Sequence, residues 1–372
     1  MHGAGTLSFT APDPDQLPRT LNDYYSRARA GMSPRNRAYF LAGAGDGQTA
    51  TANETAFQQA QVTPRVLRDL RGGSTEVSLL GQKLVAPFLI APVAYHRLLH
   101  DAGESATARA AEAQSIKMVL SAQSSEPLDR VRSSGPGSDW FQLHWLGSRE
   151  ATQALAQMAL DAGFTRLILT IDAPVQGVRD REIEAQFQLP PDVSAVNLAR
   201  FTPPAFTPRE DAQSIIFDHI AETLPTWADI AWLIETLEAP LLLKGVLHPE
   251  DAAQAQRIGA AGVIVSNHGG RVLDRAPSTL SALPAIVATV GPDYPVLMDG
   301  GIRRGVDILI ALALGAKAVL IGRPIACGLA VAGDLGVSHV MRLLRDELEI
   351  AMLLSGCATV QDIERDIVHL KL

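Results

Sequence analysis

The clearest capacity for chemistry lies in one run, Ser266-Asn267-His268-Gly269-Gly270-Arg271-Val272-Leu273-Asp274, directly after a short apolar segment. An imidazole able to take a proton and a guanidinium able to clamp a carboxylate stand three residues apart there, within reach of one pocket. The two glycines let a bulky planar group approach the backbone. The same spacing also fits a tight Gly-Gly turn with a solvated histidine and arginine. Two further stretches, Asp299-Gly300-Gly301-Ile302-Arg303 and Leu320-Ile321-Gly322-Arg323-Pro324, combine glycine N–H groups with guanidiniums, the make-up of a phosphate site. Turns capped by surface arginines are the plainer alternative, but two consecutive segment ends of one type argue against it. Lys244 closes the apolar run Leu241-Leu242-Leu243, where an ammonium needs an anion, a polar pocket or a route back to solvent. Asp172, with Gly177 and Arg179 following it, can orient and charge-stabilise a histidine base, cap a helix, or both.

Positioning these groups requires a frame. Apolar runs rich in Val, Ile and Leu occur at 88–91, 118–121, 140–144, 166–171, 240–244, 262–266, 295–298 and 318–321. Each is short and ends in a polar or glycine-bearing stretch, as strands buried on both faces of a parallel sheet do. Between them lie helix-like segments at 103–113, 148–162, 226–238 and 306–314. Eight such units over roughly 250 residues have the size of an α/β TIM (β/α)8 barrel. An open doubly wound sheet competes on periodicity alone. Residues 1–85 form an N-terminal helical lead-in, with helix expected around 21–42, and 86–372 form the barrel, one domain overall. The proline-dotted stretch 186–218 follows the fourth strand, where a long βα loop sits on the active-site face and is expected to act as a lid.

The bulk numbers bound the reading. A hydrophobic share of 47% with 19% charged residues is a globular balance, and the net charge of −8 disfavours a nucleic-acid partner. Cys327 and Cys357 form no paired framework, which suits a reducing compartment. Residues 1–18 are polar and lack an apolar signal core, and the apolar stretch 306–321 is interrupted by Gly315 and Lys317. A soluble cytoplasmic protein without membrane or metal is the expectation.

Together these residues resemble one family, the FMN-dependent 2-hydroxy-acid oxidases and dehydrogenases, which include the glycolate, lactate and mandelate oxidases. The similarity runs from about Tyr39 to Gly356. The 266–274 run looks like that family's signature, supported by Ala91-Pro92-Val93-Ala94, residues 100–110, Trp140-Phe141-Gln142-Leu143, Leu242-Leu243-Lys244-Gly245 and residues 299–323. The resemblance implies FMN as cofactor and His268 as the base, with Asp172 supporting its imidazolium. Arg271 and Arg179 would hold the substrate carboxylate with Tyr39, and Lys244 would face the flavin N1–C2 carbonyl. Val93, Ala94, Ser121, Gln142, Thr170 and Ser266 fall on the cofactor side, while Asp299, Gly300, Gly301, Arg303, Gly322 and Arg323 would hold the ribityl chain and phosphate. A homotetramer is also what the resemblance suggests. Oxidation of a 2-hydroxy acid needs a base, a carboxylate clamp and a cation beside the flavin, whichever way hydrogen leaves the substrate. The sequence offers all three.

Departures bear on the substrate. His144 stands where the family usually has a tyrosine that hydrogen-bonds the substrate oxygen, and either replaces it as a donor or merely packs. Phe40 stands where an aromatic hydroxyl is common, and Tyr95 looks more like the mandelate-type enzymes. O2 is the expected electron acceptor, because the long loop lacks the apolar character of a membrane-docking segment and Ala94 adjoins the flavin. A soluble dehydrogenase with another acceptor, a non-redox FMN barrel like type 2 isopentenyl-diphosphate isomerase, and a non-catalytic phosphate-binding barrel are the alternatives. A paired histidine base and two arginines speak for a carboxylate substrate.

Overall fold

A computed structural model describes residues 16–202 and 213–370. Eight short strands form its centre: β1 (Phe88–Ile90), β2 (Val119–Ser121), β3 (Trp140–His144), β4 (Arg166–Thr170), β5 (Leu241–Val246), β6 (Gly262–Val265), β7 (Val296–Met298) and β8 (Ala318–Ile321). Consecutive strands from β2 to β8 pair in parallel, and β8 pairs back onto β1. A parallel bridge from Ile90 to Met118 joins β1 to the start of β2 and completes the circuit. This is the TIM barrel. Its strands read as unbroken apolar runs because both faces are covered, by helices outside and by packed side chains within.

Alternation along each strand decides what faces the axis. Leu89, Val119, Trp140, Ile168, Leu242, Ile264, Leu297 and Leu320 fill the interior, together with Val77, Leu79 and Leu84 of an antiparallel hairpin, Val77–Leu79 with Gln82–Leu84. Two residues further along the same strands, the inward positions turn mostly polar: Ser121, Gln142, Thr170, Lys244, Ser266 and Asp299, with Ala91 and Gly322 completing the ring. One strand period therefore separates a solid apolar plug from a chemically equipped rim.

The helices Gly103–Ala113, Arg149–Asp161, Trp227–Thr236 and Gly305–Ala313 lie where periodicity placed them, within one or two residues. The lead-in is helical, as expected around 21–42. It holds two helices, Leu21–Gly31 and Pro34–Leu41, because Ser33 caps the Asn36 N–H and Pro34 starts a new first turn. A third helix, Gln48–Gln59, follows, which sequence periodicity did not disclose. Leu21–Gly31 packs on Arg323–Ser355, itself bent where Ala332 and Gly333 leave helical geometry. In the proposed lid stretch, Val196–Leu198 is a single 3-10 turn, while Pro203, Pro204 and Pro208 lie outside the described residues.

Candidate active site

The polar rim opens into a cavity of about 1280 Å³ at the C-terminal end of the barrel. Its walls include Tyr39, Val93, Ala94, Tyr95, Ser121, Gln142, His144, Thr170, Arg179 and Glu182, and on the far side Lys244, His268, Arg271, Asp299, Arg303 and Arg323. Of the residues singled out from the sequence, Asp172 and Ser266 sit one step behind this wall, bonded to His268 and Lys244 respectively. The fold thus gathers residues up to 284 positions apart in sequence around one space.

His268 Nδ1 lies 2.9 Å from Asp172 Oδ1, which leaves Nε2 as the nitrogen available to a ligand. The histidine holds a left-handed backbone, φ 57, and its N–H donates to Ser266 Oγ. For a residue with a side chain that conformation costs on the order of 1 kcal/mol or more, so the surrounding contacts must hold it. Gly245, at φ 112, is what lets Asp172 in: a Cβ there would collide with the Asp172 side chain. Burial, with Lys244 and Arg271 nearby, pulls the His268 pKa below its usual value, against the opposing pull of Asp172. The imidazole is therefore neutral and able to accept a proton at neutral pH. Asp172 experiences burial that disfavours its charge, yet Lys244 and His268 outweigh it and keep the carboxyl below its ordinary range.

Lys244 Nζ donates to Ser266 Oγ at 3.0 Å and lies 3.3 Å from Asp299 Oδ2. Burial opposes its charge, but Asp299 and Asp172 prevail and raise its pKa, so the ammonium persists. Gln142 Nε2 donates to Thr170 Oγ1, and Gln142 Oε1 accepts from Ser121, fixing three rim residues to one another.

Arg179 and Arg271 converge because Arg179 Nε donates to the Arg271 carbonyl at 3.1 Å. Between them stands Glu182, almost fully buried, 3.3 Å from Arg179 and 3.1 Å from Arg271. Arg271 also reaches the Tyr39 carbonyl, and its guanidinium stacks 4.9 Å over the Tyr39 ring. Tyr39 in turn stacks on Phe187 at 4.6 Å and tilts against Tyr95 at 6.1 Å. Glu182 escaped sequence reasoning, because an acid one turn along a short helix carries no local sign of its partner 89 residues away. Glu104 was missed likewise: its carboxylate accepts the N–H groups of His96 and Ser125 at 2.9 Å each and anchors the turn behind Tyr95, itself at φ 57.

At the other end, Arg323 donates to the carbonyls of Phe40, Gly269 and Ala42, leaving guanidinium hydrogens to spare. Burial and the neighbouring Arg303 and Arg271 push its pKa down to about 9, still protonated at neutral pH. A buried cation so disfavoured marks a place where an anion would be welcome. Arg303 pairs with Glu54 at 2.7 Å. One oxygen of Asp299, Oδ1, is buried without any partner, an acceptor suited to a ligand hydroxyl.

The sequence pattern of the FMN-dependent dehydrogenase family matches residues 28–370. The chain belongs to that family. It is 46% identical to an L-lactate oxidase of Roseobacter sp. (strain GAI101), over 96% of both chains, and 39% identical to glycolate oxidase of Spinacia oleracea, over 93% and 94%. Among solved structures, mandelate oxidase with benzoyl-formic acid superposes with a TM-score of 0.85 at 38% identity, covering 95% of this chain and 98% of that one.

As a member of the FMN-dependent dehydrogenases the protein takes FMN, and its residues fit that group. The cationic end formed by Arg303, Arg323 and the Gly300-Gly301 turn suits a phosphate, the orphaned Asp299 oxygen suits a ribityl hydroxyl, and the Ser121, Gln142 and Thr170 cluster offers polar atoms to a flat heterocycle. His144 lines the same cavity, and burial, then His268 and Lys244, lower its pKa to about 4. It is a neutral donor or acceptor throughout the physiological range. Among the described residues no cluster of His, Cys, Asp and Glu forms a metal site.

Proposed function

We propose that this protein oxidises an L-2-hydroxy acid to the 2-oxo acid, with O2 as electron acceptor and H2O2 as co-product. The observation that carries the reading is a neutral His268, held by the Asp172 carboxylate, facing a two-arginine clamp across one cavity. Bound FMN supplies the acceptor for the two electrons of the substrate's Cα–H bond. Arg179 and Arg271 hold the carboxylate, which orients the hydroxyl towards His268 Nε2. His268 takes the hydroxyl proton, and Asp172, already on Nδ1, stabilises the imidazolium that results. Lys244 offers a fixed positive charge beside the reacting centre, in a site where burial strengthens its field. Tyr39 and His144 donate to the substrate's oxygens, and Tyr39, Tyr95 and Phe187 form an aromatic wall for its side chain.

Val93 and Ala94 line the flavin-facing wall, with Ser266 supporting Lys244 from behind. A cytoplasmic homotetramer belongs to the same proposal. It is supported by the family resemblance and, for the compartment, by two buried unpaired thiols, Cys327 and Cys357. Size-exclusion chromatography with light scattering checks the assembly.

The reaction is tested by mixing the purified holoenzyme anaerobically with L-lactate, glycolate, L-mandelate and a longer aliphatic L-2-hydroxy acid, then admitting air. Bleaching of the flavin band by at least one acid, followed by rapid recolouring with H2O2 formed, is expected. A flavin that no acid bleaches would refute the reaction, and slow recolouring would assign the electrons to an acceptor other than O2.

A further inference from the structure

Behind both loops of the site lies a pair of buried amides that the chemistry above does not use. Asn53, in the helix Gln48–Gln59, and Asn267, next to the base, face each other, and each Nδ2 donates to the other's Oδ1 at 2.8 Å. Both side chains are buried, with Asn53 only 1% exposed. Their remaining bonds spread outward. Asn267 Oδ1 also accepts the Gly270 N–H at 3.1 Å, and its Nδ2 donates to the Pro277 carbonyl at 3.0 Å. Asn53 Oδ1 also accepts the Thr279 N–H at 3.2 Å.

The opposite side of Asn53 touches the phosphate end of the cavity. A Cβ on Gly300 would come within 3.1 Å of Asn53 Nδ2, and one on Gly301 would collide with the Asn53 carbonyl, so both glycines are shaped around this residue. The next residue, Glu54, holds Arg303. One helical turn therefore contacts the loop that carries the base and the loop that faces the phosphate.

We propose that Asn53 is a positioning residue that couples the two loops, so that the grip on FMN and the orientation of His268 rise and fall together. The inference rests on the assignment of His268 as base and of the Gly300-Gly301 turn as phosphate site. The physical reason is the cost of a buried amide left without a partner. If Asn53 is removed, Asn267 keeps only the Gly270 N–H and the Pro277 carbonyl, and its amide is no longer fixed from the side of the helix Gln48–Gln59. The Gly270 N–H, two residues from the left-handed His268, is then held less firmly, and Gly300 loses the Nδ2 it lies against, while Gly301 keeps its contact with the Asn53 carbonyl.

The test compares holoenzymes of Asn53→Ala, Asn53→Asp and Arg303→Gln with the unaltered protein. Flavin release after dilution is followed by the rise of free-flavin fluorescence, and the pH dependence of anaerobic flavin reduction is recorded separately. Asn53→Asp nearly preserves volume and both acceptor roles but turns a donor into a carboxylate facing Asn267 Oδ1, so it tests the pair without a cavity. Both Asn53 variants should release flavin about tenfold faster or more, the size expected of one lost buried hydrogen bond. Their acid limb should also move to higher pH, because a loosened His268 is better solvated and its pKa rises. Arg303→Gln, which touches one loop only, should speed release without moving the limb. Faster release with an unmoved limb in the Asn53 variants, or lower thermal stability with both readouts unmoved, would overturn the coupling. If the unaltered protein is reduced by no hydroxy acid, the reaction assignment fails, whereas the release measurement still judges the Asn53 contact with the phosphate loop.

Discussion

The two ends of the barrel use buried charge in opposite ways. At the N-terminal end the focus is Asp139, whose carboxylate accepts from Gln82 Nε2 at 2.7 Å, from Arg166 at 3.1 Å and from Thr165, with Lys117 3.4 Å away. Trp140 Nε1 donates to Gln82 Oε1, which ties this cluster to the hairpin closing the barrel. None of these residues lines the cavity. At the C-terminal end Lys244, Arg179, Arg271, Arg303 and Arg323 meet the carboxylates of Asp172, Glu182, Asp299 and Glu54 around an open cavity. Cations outnumber acids in both clusters, but only here do they line a cavity, in a chain whose net charge is −8. A local cationic excess around a cavity in an acidic protein suits anions, as the proposed phosphate and carboxylate are. The closed end stores stability, whereas the open end holds back charge and backbone strain for its ligands.

That contrast can be broken at either end. The largest effect expected is from His268→Ala, which should keep FMN but slow anaerobic reduction by ~10²–10⁴-fold or more. Stopped-flow bleaching reads it, and a rate near that of the unaltered enzyme would remove His268 from the chemistry. Next comes Asp139→Asn, which leaves Lys117 and Arg166 short of their counter-charge and should cost about 3 kcal/mol of stability. Thermal melting should show the loss while flavin reduction stays unchanged; a slowed reduction would mean that the two ends are not independent. The pH dependence sharpens this. Burial alone would raise the Asp139 pKa, but Thr165, Lys117, Gln82 and Arg166 together bring it below the ordinary value. Its contribution is thus full above the unfolded carboxylate pKa of about 3.9 and fades as pH falls through the lower folded value. The melting difference between the two proteins should be constant near neutrality and close in acid. The smallest effect expected is at His144, a neutral donor by its lowered pKa. His144→Phe should cost about tenfold in kcat/KM, one hydrogen bond's worth, and His144→Tyr should recover it. Equal rates in all three forms would make His144 a packing residue.

The barrel was legible because each strand is a short apolar run buried on both faces, a pattern that survives without tertiary information. All eight runs match strands, and β5 extends past Lys244 through Gly245 to Val246. Lys244, Ser266 and Asp299 were legible at the ends of apolar runs, whereas Ser121, Gln142 and Thr170 were assigned to the site only through the family resemblance; all six stand two residues beyond interior apolar positions, an interval fixed by strand geometry. What stayed hidden were residues whose meaning is a distant partner. Glu182 serves Arg271, Glu54 serves Arg303 249 residues away, and Asn53 serves Asn267 across 214 residues. Their own surroundings in sequence read as ordinary polar helix positions. The break at Ser33-Pro34, inside the helical lead-in expected around 21–42, carries its own local signal, an N-cap residue followed by a first-turn proline.

The central claim is that His268 is the base and that Asp172 sets its basicity. The pH dependence of anaerobic flavin reduction, measured for the unaltered enzyme and for Asp172→Asn, tests it most directly. The unaltered enzyme should show an acid limb below the ordinary histidine value of about 6.5, since burial and Lys244 depress the His268 pKa. Asp172 is the main group opposing that depression, so its neutralisation should move the limb to still lower pH and lower the plateau, as the imidazolium loses its counter-charge. A limb that stays in place, or a plateau that is undiminished, would contradict the account.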